Sequence, residues 1–164
     1  MSTTFTQFLR EQAEKHEAEV RSGKATVDEW RAAIDQLFSQ VRKWLAESDA
    51  EGIIKIKARD PELVEEGMGR YRVPRLDLHV FGKWIGIIPK ARNTIASATP
   101  PPRSAPVRAT GRVDITDEVR RYILYRFPQD DAGDMWLIDD LRPGTPQKLL
   151  DQQTFEAALM SYLR

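Results

Sequence analysis

Apolar positions in the first fifty residues recur at helical spacing. Phe5, Phe8, Leu9, Ala13 and Val20 are separated by polar side chains, mostly Glu and Gln, at a period near 3.6. Thr4 with Gln7 has the form of a capping box, and Ser22-Gly23 reads as a stop. Thr26 with Glu29 repeats the capping pattern. Trp30, Ile34, Leu37, Phe38, Val41, Trp44 and Leu45 then mark one apolar stripe, ended by Ser48 to Gly52. The short link at residues 22–25 predicts an antiparallel helical hairpin over residues 1–50. Its second stripe is wide for a two-helix unit, so it should pack on a sheet or on another subunit.

After Gly52 the period shortens. Ile53 to Lys57 reads as a strand, and residues 58–69 as a turn of helix plus a loop. From Tyr71 to Phe81 the pattern alternates, with Leu76, Leu78 and Val80 on one face and Arg75, Asp77 and His79 on the other. Gly82-Lys83 then separates this strand from Trp84–Ile88. That spacing predicts a hairpin with a type II′ turn, closed by a Phe81–Trp84 cross-strand pair. Residues 89–110 contain Pro100-Pro101-Pro102 and Pro106 and read as a long extended loop. Strands return at 112–115, 121–127 and 135–138. The last helix starts at Asp151 as N-cap, with Leu150 and Phe155 as a staple and Phe155, Ala158, Leu159 and Tyr162 facing inward.

Helices at the ends of the chain and hairpin links in the middle give the class α+β. The expected architecture is an N-terminal antiparallel helical hairpin, a largely antiparallel sheet of about five or six strands, and a C-terminal helix packed on that sheet. The division is 1–50 for the hairpin and 52–164 for an α+β domain carrying the loop at 89–110.

Composition narrows the function classes. Of 164 residues, 41% are hydrophobic and 30% charged, which excludes a wholly disordered chain. No run of about 18 apolar residues predicts a membrane span, and the N-terminus lacks a secretory pattern, so a cytoplasmic location is expected. Cys is absent and there are two His, so no metal or cofactor is expected. Net charge is zero, but residues 89–112 carry Lys90, Arg92, Arg103, Arg108 and Arg112 and no acid. Any anion-binding role is therefore local.

Asp77 and His79 share a strand face beside Arg75. A carboxylate next to an imidazole can orient a general base, although a solvated face bearing ion pairs is the preferred reading. Asp114 invites comparison with the restriction-endonuclease-like pattern, in which a strand acid precedes E-x-K on a neighbouring strand. Here that second strand reads Leu124-Tyr125-Arg126, so the acid is missing and an arginine, a poor proton acceptor, replaces the lysine. Asp130, Asp131, Asp134, Asp139 and Asp140 lack the calcium-loop spacing and read as solubilising charge.

With Walker, nucleotide-binding and zinc motifs absent, the leading expectation is a non-catalytic accessory or adaptor protein: a chaperone, inhibitor or assembly subunit. Its partner would be another protein, a second copy of itself included. The expected contacts are Trp30 and Trp44 on the helical hairpin, since aromatic anchors dominate interface energetics, with Lys90, Arg92, Arg103 and Arg108 as a second surface; the competing reading places both Trp residues in the internal core. The alternative is a nucleic-acid-processing enzyme, or a decayed nuclease-like domain, acting through Asp77, His79 and Asp114 beside the basic loop.

Overall fold

The computed structural model describes residues 3–101, 103–129 and 133–164. In chain order the elements are α1 (Thr3–Ser48), β1 (Lys55–Arg59), β2 (Glu62–Glu65), β3 (Gly69–Arg72), β4 (Arg75–Val80), β5 (Lys83–Ala91), β6 (Ser97–Ala98), β7 (Val107–Arg108), β8 (Arg112–Thr116), β9 (Arg121–Gln129), β10 (Gly133–Asp139), β11 (Lys148–Leu149) and α2 (Gln152–Leu163). The α+β class stands. The main sheet has seven strands rather than the expected five or six, in the order β1-β4-β5-β8-β9-β10-β11, each pair antiparallel, the two-residue β11 adding the last edge.

The helical hairpin is a correction: residues 3–48 form one uninterrupted helix. Two contacts explain why 22–25 is not a turn. Thr26 Oγ1 donates back to the Ser22 carbonyl (3.0 Å), a helical i−4 bond rather than an N-cap. Gly23 meets the turn between β2 and β3 so closely that a Cβ there would stand 2.4 Å from the Gly67 carbonyl oxygen. This glycine serves close packing, not chain reversal.

From Gly23 onward α1 lies on one face of the sheet. Trp30, Ile34, Leu37, Val41 and Leu45 pack with Leu76, Leu78, Ile85, Ile87, Val113, Ile115 and Leu124, the inward residues of four neighbouring strands. α2 joins the same core: Trp44 meets Phe155 at 5.6 Å between ring centroids, and the Tyr162 hydroxyl donates to the Ile115 carbonyl at 2.8 Å. Its predicted start holds, with Asp151 and Thr154 forming a reciprocal capping box.

Three further differences are local. Residues 58–69 are neither helix nor plain loop: β2 and β3 pair as a small hairpin seated on α1. The β4–β5 turn lies one residue earlier than predicted. Val80 pairs with Lys83, and both central residues, Phe81 and Gly82, have positive φ (53° and 72°), the signature of a type I′ rather than a type II′ turn. Phe81 is consequently 74% exposed and does not pair with Trp84, which faces His79 instead. Within 89–110, β6 and β7 pair, and Ala98 and Val107 close over a second small core of Ala109, Phe127 and Leu137 on the opposite face of the sheet. The loop is a flap with its own apolar lining.

Candidate functional site

Three surfaces carry the residues singled out from the sequence. The first is the outer face of β1, β4, β5 and β8, opposite the helices. Asp77 sits opposite Gly86, and Asp114 opposite Ile88, so the two carboxylates share this face but belong to separate clusters. Asp77 is 3% exposed and accepts from Arg59 Nε (2.6 Å), Arg75 Nη2 (2.8 Å) and Trp84 Nε1 (2.8 Å). Burial raises its pKa, but the bonds from Arg59, Trp84 and Arg75 outweigh that and hold it down at about 2. Asp114, 2% exposed, accepts two bonds from Arg112 (2.8 and 3.1 Å) and faces Arg121 at 3.8 Å. His79 is exposed and pairs across strands with Lys55 and Trp84. Asp77, His79 and Asp114 therefore do not converge. Each acid is tied up by arginines, and among the described residues no group of three or more His, Asp or Glu comes together as metal ligands.

Trp84 is the unusual member of this face. It is half-buried, and its six-membered ring occupies the space above Gly86, where a Cβ would lie 2.6 Å from Cζ2. Arg75 stands 5.7 Å from the ring centroid, close enough for a cation–π contact. The exposed cations Lys55, Lys57 and Arg59 alternate along β1, on the other side of β4 from Trp84.

The second surface is the basic loop. Arg92 reaches Glu29 at 3.9 Å, while its backbone N–H and that of Asn93 donate to the Glu65 carboxylate. Arg103 donates to the Pro128 carbonyl (3.3 Å) and Arg108 to the Thr94 carbonyl (2.5 Å). Arg92 and Arg103 fasten the flap to the body, Arg108 ties the flap to itself, and Lys90 is exposed. Of the acidic cluster, Asp134 pairs with the buried Arg126 (2.8 Å) and Asp140 with Arg142 (2.8 Å), while Asp130 and Asp131 lie outside the described residues.

The third surface is α1. Trp30 (0% exposed) and Trp44 (9%) are not offered to a partner: this chain's own sheet and α2 take them into the core. The uncovered apolar surface lies upstream. Every residue from 3 to 22 is exposed, so about twenty residues of helix, ~30 Å, project beyond the body. Phe8 is 53% exposed, Leu9 50% and Val20 57%.

Leu9 and Val20 lie on the same side of the helix as the buried stripe, with Phe8 at its flank. Leu9, Ala13, His16, Val20, Gly23, Val27, Trp30, Ile34, Leu37, Val41 and Trp44 follow one another at alternating steps of four and three. One seam thus runs through α1, covered from Gly23 onward and bare before it. At the junction a cleft of about 660 Å³ opens between the two stretches, lined by His16, Val20, Val27, Met68, Tyr71 and Arg72 among others. The unbroken four–three spacing across 22–25 was the sequence signal for both the single helix and the projecting seam.

Among the described residues no helix is long and apolar enough to cross a membrane. In comparisons with known proteins, no family model, curated protein or solved structure matched the chain.

Proposed function

We propose that this is a non-catalytic accessory protein that works by binding another polypeptide through the projecting half of α1. The observation that carries the reading is the seam at Leu9 and Val20, flanked by Phe8, which leaves apolar side chains in water where the same seam downstream is sealed. A projecting amphipathic helix is the donor element of helix-in-groove and coiled-coil recognition, read as anchors on one face. Asp77 and Asp114 are each held in arginine pairs of their own, which favours a structural role for them. The test is a photo-crosslinking residue at position 9 in the full chain, in the cells that make it. The proposal expects discrete polypeptide adducts that disappear with Phe8→Ser/Val20→Ser and that a probe at position 14, on the opposite side of the helix, does not give. Equal labelling from positions 9 and 14 overturns it.

A second reading is favoured by one observation, the Trp84 ring set over Gly86 beside Arg75, on a sheet face whose β1 edge also carries Lys55, Lys57 and Arg59. A fixed aromatic platform sharing its face with cations is how sheet surfaces hold single-stranded nucleic acid by stacking and phosphate contact. Trp30, Trp44 and Trp136 are buried, so fluorescence quenching by an oligonucleotide reports Trp84 above the others. This reading expects quenching that weakens with salt and with Lys55→Glu/Lys57→Glu; an unquenched protein at low salt removes it.

A further inference from the structure

We infer that the occupant of the projecting seam is a second copy of this chain, lying antiparallel. The inference rests on the reading of α1 above and specifies its partner. Three features of the molecule select the occupant. The bare seam is about twenty residues long, and the chain itself carries an apolar helical face of that same length. The body covers the seam side of the helix from Gly23 onward. A parallel pair would drive two bodies into the same space, whereas an antiparallel pair leaves them at opposite ends.

The third feature is charge. Setting Leu9 opposite Val20 of the second copy puts Ala13 opposite His16 and brings Arg10 beside Glu17, with the same contacts repeated by the two-fold axis. Residues 3–5 of each helix then overlap the covered stretch of the other copy, at the level of residues 24–26, where the cleft lined by Val20, Val27, Met68 and Tyr71 opens. The interface is self-complementary: seam on seam, with opposite charges along one flank.

The chain has no cysteine, so introduced thiols report the geometry cleanly. The experiment combines sedimentation of the full chain with oxidation of an equal mixture of the Ala13→Cys and His16→Cys variants, which can be told apart by a tag. The inference expects a species of twice the 18.8 kDa monomer mass. It also expects disulfide-linked pairs of one variant with the other, and loss of the double-mass species in Leu9→Glu with an unchanged circular dichroism spectrum. A chain that sediments as a monomer at high concentration overturns the inference, and so does a dimer in which Ala13→Cys links only to itself. In the monomer case a position-9 adduct with a different polypeptide leaves the general protein-binding reading standing, and the absence of any adduct ends both.

Discussion

Replacing Gly23 by alanine separates the one-helix account from the hairpin that the sequence suggests. In an exposed helix interior the exchange adds about 1 kcal/mol of stability, because glycine carries the larger backbone entropy cost. Here the added methyl would stand 2.4 Å from the Gly67 carbonyl oxygen. That oxygen cannot retreat freely. Its turn is closed by the Met68 N–H bond to the Glu65 carbonyl (3.1 Å), and the Glu65 carboxylate is bonded by Tyr71 and by the Arg92 and Asn93 backbone. Overpacking of a restrained contact costs about 1–3 kcal/mol. Set against the helix gain, the net effect is a loss of up to ~2 kcal/mol. Urea unfolding with the slope held constant measures it, with Ser22→Ala, one residue away and exposed, as the control for helix propensity. Stabilisation of Gly23→Ala by about as much as Ser22→Ala would refute the close approach of the β2–β3 hairpin to α1.

Other consequences follow from the same packing. Ile34→Ala, at a fully buried seam position, should cost about 2–5 kcal/mol, whereas Leu9→Ala should change the unfolding free energy of dilute protein by under about 0.5 kcal/mol; equal effects in denaturant titrations contradict the two-part helix. Arg126→Met removes a guanidinium shared by Glu29 and Asp134 and should cost about 3 kcal/mol, the low end for a broken buried pair because Glu29 is half-exposed, with Arg126→Met/Asp134→Leu recovering most of it. Asp77 is ionised in the folded chain down to about pH 2, below its unfolded value, so its contribution is fully present above about pH 4 and lost as pH falls towards 2. Allowing for the half-exposed Arg59, that loss is about 1–2 kcal/mol, and acid unfolding of Asp77→Asn should lack it.

What could be read from the residues divides by the range of the interaction that decides each element. The alternation of Leu76, Leu78 and Val80 and the capping at Asp151 are local, and both appear as expected. The type I′ turn turned on whether Phe81 would accept a positive φ, which a Gly-first rule does not anticipate. The break at 22–25 failed because Ser22-Gly23 is a good helix stop in isolation, while its meaning here comes from Gly67, distant in the chain. The flap hid its strands because β6 and β7 are two residues each and gain their order by covering Phe127 and Leu137. For the candidate site, the acids and arginines of the outer face were visible as a list but their pairing was not. The choice of Trp30 and Trp44 as contacts mistook the widest part of the stripe for the uncovered part. The seam's four–three period was the better guide, since it extends past the region the sheet can reach.

Amide hydrogen exchange along α1 at several protein concentrations tests the central claim most directly. Residues 27–45, sealed by the sheet, should exchange slowly and independently of concentration. Amides of residues 8–20 should exchange quickly in dilute protein and become protected as concentration rises, with Leu9→Glu abolishing the change. Fast exchange of residues 8–20 at every concentration, with the downstream half protected, would contradict the self-paired helix.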